Sequence, residues 1–473
     1  MDDNVMHVLQ MLQDGKVSAQ EAETLIAALR GETVAGTEPP KAKTAEKEKA
    51  EPGAFFSGFD KMKPPKIDLD DLGERISKAV SRVQPEKIVQ RVQSQIRAAT
   101  RAGSHWGTTV SSRVKTWADG EDTRPTNAAH WPENSETSEQ EFHLETGAAI
   151  YVENFFGNVK ITGLVEDGPA VVVINKTVWQ AREEDLIAAA ARITAAVSAT
   201  DSRLDVKVSA PDFFRDGVVD LELRVPRSAV ARVSAHFGNV EMAELEGRAE
   251  AVTTAGTLSL RDLGGDARGE TASGELKLAR ILGAATVATQ SGDISAEDIA
   301  RGLSANTASG DVSAVRIEGG RVECKSVSGD VQVSDVGAIA PLDIVVESVS
   351  GDATLTNAAG SIALKAVSGD AKAEHISATR LQVQTVSGDV TARLRDVFSG
   401  TMQVNTVSGD VSLYLVEGSN VRVSLSTASG ELRCEHDAHN VTATETLWTG
   451  QIGTGAGTLN AQTISGDTHI QRA

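Results

Sequence analysis

A glycine flanked by Ser and an acid recurs through the second half of the chain, at Gly274, Gly292, Gly310, Gly329, Gly351, Gly369, Gly388, Gly409, Gly430 and Gly466, with looser versions at Gly238, Gly256 and Gly450. The twelve intervals cover 228 residues, a mean of 19. Apolar residues alternate on both sides of each glycine. At Gly388, Leu381, Val383, Val390 and Ala392 point one way while Gln382, Gln384 and Thr391 point the other. Val322, Cys324, Val331 and Val333 repeat the pattern at Gly329, as do Met402, Val404, Val411 and Leu413 at Gly409. Short strands with one apolar face cannot make a core singly, but stacked turn on turn they can. The chain therefore reads as mainly β: a parallel β-solenoid (β-helix) of about 12 turns with a mean repeat of 19 residues, preceded by α-helical N-terminal segments. At about 4.8 Å per turn such a rod is about 55–60 Å long.

The corner chemistry follows from residue type. Glycine takes φ > 0 at a sharp bend, and Ser and Asp are expected to bond the amides of that bend. Thr271, Thr289, Thr307, Ser326, Ser348, Thr385, Thr406 and Thr427, three residues before their glycines, predict a ladder in which each hydroxyl accepts from one neighbour and donates to the next. Asp293, Asp311, Asp330, Asp352, Asp370, Asp389 and Asp410 line up as well. One carboxylate per turn is a poor cation cage, so these read as structural turns. Cys324 and Cys434 fall on inward positions and read as buried free thiols.

Ahead of the repeats the chain divides into unlike parts. Residues 1–31 read as a helical hairpin, with Val5, Leu9 and Leu12 on one helix, a capping box at Ser18 and Glu21, and Leu25 and Leu29 on the second. So short a hairpin needs a partner surface, which makes Leu9, Leu12, Leu25 and Leu29 candidates for oligomerisation; docking within the chain is the alternative. Residues 32–66 and 121–138 are linkers by composition. Residues 67–120 form a basic amphipathic stretch. Between Arg75 and Trp117 nine basic residues (Arg75, Lys78, Arg82, Lys87, Arg91, Arg97, Arg101, Arg113 and Lys115) face one acid, Glu86. With Trp106 and Trp117 they are candidates for binding an anionic membrane surface; docking on the acidic remainder is the alternative. Residues 139–237 read as strands at 141–145, 149–153, 158–162, 170–175, 203–209 and 218–225 around a helix near 180–198, a lid on residues 238–473.

Composition narrows the function. The net charge of −20 argues against nucleic acid as a general partner. An acidic opening and no long apolar run point to the cytoplasm, peripheral at the inner membrane. No enzyme signature occurs, and no cofactor or metal is expected: Cys434, His436 and His439 read as an ordinary loop, and Gly453, Gly455 and Gly457 as a bend without the Lys-Ser/Thr of a phosphate loop.

Val152-Glu153-Asn154 leading to Gly157, with Val159, Ile161-Thr162-Gly163, Val225-Pro226 and the Ser-Gly-Asp repeats, resembles the bacterial adhesin-like β-solenoid family of LiaG-like and YvlB-like proteins. Leu12-Gln13-Asp14-Gly15-Lys16-Val17-Ser18 with Glu21-Ala22-Glu23 is similar to the SHOCT-like helical hairpin. The resemblance implies a β-solenoid associated with envelope-stress systems and a hairpin that mediates association. The expected function is a non-enzymatic scaffold or interaction protein that self-associates and lies on the membrane surface. The alternative is a soluble ligand- or protein-binding solenoid with no membrane contact.

Overall fold

The computed structural model describes residues 133–164, 168–180, 182–210 and 216–473. Over these the chain is mainly β, a parallel solenoid with a single short α-helix among the described residues, Leu186–Arg192. Each turn has two strands and two corners. Arg321–Ser328, for example, runs to a Ser-Gly-Asp corner, and Val331–Val336 returns along the opposite face. Inward side chains meet between the two sheets: Val322, Cys324, Val331, Val333 and Val336 are at most 1% exposed. Each stacks on its equivalent in the next turn, as Leu276, Ile294, Val312 and Val331 do in succession. Burying one such side chain contributes about 1.5–3 kcal/mol. A one-residue slip would turn all of them outward, so register is tightly held.

From Val230 to Leu415 about ten turns of about 19 residues stack in sequence order. The expected number, about twelve, is corrected for two reasons. Gly450 is not a corner but lies in Leu447–Ile452, antiparallel to Val421–Ser426. The turns at Gly430 and Gly466 stack out of sequence order. Strands Gly457–Gln462 and Thr468–Arg472, the last of the chain, pair on one side with Thr401–Asn405 and Val411–Leu415. On the other side they pair with Val421–Ser426 and Leu432–Cys434.

The final turn in sequence is therefore last but one in space, and Thr468–Arg472 is paired on both sides rather than forming an open edge. Thr468 is fully buried, and its N–H donates to the Glu431 carbonyl at 2.8 Å. That end is closed in one sheet by the antiparallel strands Leu447–Ile452 and Ala438–Ala443. The opposite end mirrors it. Ala149–Phe156 and Val159–Leu164 lie between Arg203–Ser209 with Gly217–Pro226 on one side and Val230–Phe237 with Val240–Ala243 on the other. Antiparallel strands Thr194–Thr200, Ala170–Trp179 and Glu133–Phe142 cover it. Antiparallel cover removes the parallel edge that would otherwise template another chain.

This cap corrects two further expectations. The polar run Glu133–Gln140 is strand, not linker, because it pairs along its length with Ala170–Trp179. The helix is only Leu186–Arg192, after a 3₁₀ turn at Glu183–Asp185; Thr194–Thr200, rich in β-branched residues, instead pairs with Arg203–Ser209. The hairpin at 1–31 and the basic stretch at 67–120 lie outside the described residues.

The first corner works between turns rather than within one. Gly329 has φ 142°, and a Cβ there would run into the Gly310 carbonyl of the preceding turn. The absent Cβ brings that carbonyl within reach of Ser326, whose hydroxyl donates to it at 2.9 Å; Ser348 does the same to Gly329 at 3.0 Å. Thr289, Thr307, Thr385 and Thr427 do likewise, so these hydroxyls bond glycine carbonyls and not each other, while Thr271 and Thr406 find no hydrogen-bond partner among the described residues. Each corner Asp likewise accepts the amide of the next turn's Asp, and not of its own bend: Asp311 accepts from Asp330, and Asp330 from Asp352, both at 2.8 Å.

Candidate functional site

The second corner was not anticipated. Glu244, Asp262, Arg280, Asp298, Arg316, Asp335, Asn357 and His375 occupy the left-handed region at φ 52–60°. Each precedes an inward apolar residue such as Leu263, Ile281 or Ile299. The sequence signal is two outward residues between inward ones, as in Leu260-Arg261-Asp262-Leu263. A left-handed non-glycine residue costs about 1–2 kcal/mol, and here core burial of the next residue offsets it.

Stacked, these corners become a charge ladder. Arg280 donates to both Asp262 oxygens at 2.5 and 2.8 Å, and Arg316 to Asp298 at 2.5 Å. Arg227 reaches Glu244 at 3.1 Å. A groove of about 520 Å³ runs over this ladder, lined by Arg227, Glu244, Asp262, Arg280, the buried Leu245 and Leu263 and the exposed Leu282. Hydrogen bonding from Arg280 holds the Asp262 carboxyl below the usual carboxylate range, and Arg316 does so for Asp298. Carboxylates kept ionised by guanidinium partners are poor general acids near neutral pH. The groove's charges are already spent on each other.

The outward side of the first corner differs. The sequence Val-Ser-Gly-Asp recurs at 327–330, 349–352, 367–370, 386–389 and 407–410, with Ile464-Ser465-Gly466-Asp467 following in space. Ala308, Val327, Val349 and Val367 form an apolar cluster separate from the core, half-buried on the outer sheet face. Beside it run the exposed serines and then the Asp ladder. One oxygen of each Asp is committed to an amide, but the other is free for a cation: Lys372 Nζ lies 3.4 Å from Asp352 Oδ2 and 3.0 Å from Asp370 Oδ2, spanning two turns.

On the same sheet face, two residues before Val327, Val349 and Val367, Lys325, Glu347 and Lys365 form a buried ionic trio, with Glu323 also 2.6 Å from Lys325. Glu347, 1% exposed, lies 3.0 Å from both Lys325 and Lys365. Burial alone would raise its carboxyl, but the two ammonium groups overcome that and hold it below the usual range. Phe155, Phe156, His236 and Phe237 form a second unanticipated patch, with Phe156 stacked on Phe237 at 5.0 Å and Phe155 4.8 Å from His236. The repeated Phe-Gly-Asn-Val at 156–159 and 237–240 was its signal.

The ten corner glycines from Gly274 to Gly466 have φ 138–150°. Burial pushes the Cys324 thiol up to about 12. Cys434 is only half-buried, because it faces inward from the short end strand Leu432–Cys434. Among the described residues no group of His, Cys, Asp and Glu is placed to hold a metal ion, and His436 instead contacts the Gln471 carbonyl at 3.2 Å. Gly453 and Gly455, at φ 59° and 67°, turn the chain from Leu447–Ile452 back into Gly457–Gln462. The candidate membrane-binding residues Arg75–Trp117 and the oligomerisation candidates Leu9–Leu29 lie outside the described residues. No helix among the described residues is long and apolar enough to cross a membrane.

A family model described as Toastrack DUF4097 matches residues 220–401 and 396–471, and one described as a SHOCT-like domain matches residues 3–33. No curated protein matches the chain. Among solved structures, a "putative cell adhesion protein" from Clostridium sporogenes aligns over 72% of this chain and 100% of its own, at 7% identity and TM-score 0.16. A "putative lipid binding protein" from Parabacteroides distasonis covers 71% and 96% at 11% identity and TM-score 0.20. A "putative adhesin" from Bacteroides fragilis covers 70% and 96% at 11% identity and TM-score 0.16. Identities and scores this low carry nothing about function.

Proposed function

The chain belongs to the Toastrack DUF4097 family, and on that premise we propose that it is a non-enzymatic interaction protein whose solenoid is a scaffold held at an anionic membrane surface by residues 67–120. The carrying observation is the segregation of charge. Residues 133–473 hold 27 Lys+Arg against 47 Asp+Glu, the whole of the net −20, while Arg75–Trp117 holds nine basic residues and one acid. An acidic solenoid is repelled by anionic lipid, so contact has to run through the basic stretch, at about 1 kcal/mol per Lys or Arg near the surface. The scaffold reading is supported by the second-corner ladder, where Arg280 with Asp262 and Arg316 with Asp298 are paired structurally rather than poised for proton transfer. The setting is the cytoplasmic face of the inner membrane, in an envelope-stress system. Flotation of the full chain with anionic and neutral vesicles tests this. Binding to anionic vesicles alone is expected; equal binding to both, or to neither, contradicts it.

The hairpin at residues 1–31 is the self-association element of this proposal, supported by its two apolar stripes and by the SHOCT-like match at 3–33. Replacing Leu9, Leu12, Leu25 and Leu29 with Gln should lower the mass per particle in light scattering. An unchanged oligomer contradicts it.

A further inference from the structure

We propose that the outward Val-Ser-Gly-Asp stripe is a docking surface for the chain's own basic stretch, Arg75–Trp117. The stripe is a ready amphipathic counterpart: Val327, Val349, Val367, Val386 and Val407 follow one another turn by turn at about 4.8 Å, and a parallel ladder of aspartates runs two residues beyond the serines' side of the corner. Arg75–Trp117 carries the complement, with Ile76, Val80, Val83, Ile88, Val92 and Ile96 recurring among its basic residues. Read as helix, it advances about 5.4 Å per turn, close enough to the strand spacing for apolar and basic positions to meet successive turns.

Charge and reach both favour this occupant. Asp330, Asp389 and Asp410 each give one oxygen to an amide, and no ion pair joins any of them among the described residues. Lys372 on Asp352 and Asp370 is the same contact already made within the solenoid. The turn of Val331–Val336 lies nine strand spacings from Glu133–Phe142, about 43 Å. The sixteen residues from Trp117 to Glu133 reach about 53 Å when extended. Docking does not depend on the lipid reading. Its regulatory consequence rests on that reading: the stripe and the membrane compete for the same basic residues.

The test uses the full chain in solution without lipid. A carbodiimide that joins Lys amines to carboxylates should link Lys78, Lys87 or Lys115 to Asp330, Asp389 or Asp410. In a mixture of ¹⁵N-labelled and unlabelled protein these links should stay within one chain. Links only between chains would make the occupant a second copy and overturn the proposal, as would their absence. A second measurement avoids the crosslinker. Asp330→Asn, Asp389→Asn and Asp410→Asn together keep an amide-accepting oxygen, as Asn158 and Asn239 do at equivalent positions. This variant should be cut by trypsin after Arg91 and Arg97 several-fold faster than the parent, with unchanged circular dichroism; equal cleavage rates would overturn the docking. Vesicle flotation is scored separately, so loss of the lipid reading leaves these outcomes intact.

Discussion

Asp330 Oδ1 accepts the backbone N–H of Asp352 at 2.8 Å, across a turn boundary. The same bond recurs from Asp293 through Asp410 and ends with Glu431 donating to Asp467 at 2.7 Å. The side chain that looks like a turn residue is thus a clamp between neighbouring turns. Its oxygen, rather than its charge, is what the fold uses.

Asp330→Asn is therefore expected to leave stability nearly unchanged, whereas Asp330→Ala should cost about 1 kcal/mol, the usual worth of one such bond. Urea titrations of the two variants check this. Equal losses would mean that charge, not the amide acceptor, holds the corner.

Removal of residues 457–473 should do far more than trim an end. It deletes the turn between Val411–Leu415 and Leu432–Cys434, so the first loses one of its two neighbours and the second its partner. Amides of Val421–Ser426 and Thr401–Asn405 that face Gly457–Gln462 should lose their hydrogen-exchange protection together, while those facing Leu447–Ile452 keep a partner. Retained protection at the amides facing Gly457–Gln462 would contradict the out-of-order stacking.

The inward residues were legible in the sequence because period-two alternation around a fixed glycine leaves no other face for Val322, Cys324 or Met402. The spatial order of the ends was not. Val411-Ser412-Leu413 and Thr468-His469-Ile470 present the same inward pattern, so many turns are able to stack on one another, and pairing of Val411 with Thr468 leaves no local trace. The cap strand Glu133–Phe142 escaped for another reason: its burial comes from its partner, and its own residues from 133 to 140 carry no apolar period. The left-handed corners were written in the spacing around Asp262 and Arg280, but a search for alternation passes over a break in alternation.

Acid should expose the Glu347 trio. A carboxyl depressed in the folded state stabilises fully above its unfolded pKa, about 4.3, and that contribution is lost as pH falls through the lower folded value. Glu347→Ala should cost about 3 kcal/mol at neutral pH, because it strands Lys365 without its anion, while Lys325 keeps Glu323 at 2.6 Å. It should also flatten the acid limb of the stability curve. An acid limb identical to the parent's would show that Glu347 does not titrate with unfolding.

The most direct test of the proposed function is vesicle affinity as a function of salt. With anionic vesicles, Lys87→Gln, Arg91→Gln, Arg97→Gln and Arg101→Gln together should weaken binding by about 4 kcal/mol, roughly 1,000-fold at low salt, and reduce its salt dependence. Affinity and salt dependence unchanged in this variant would contradict membrane contact through the basic stretch.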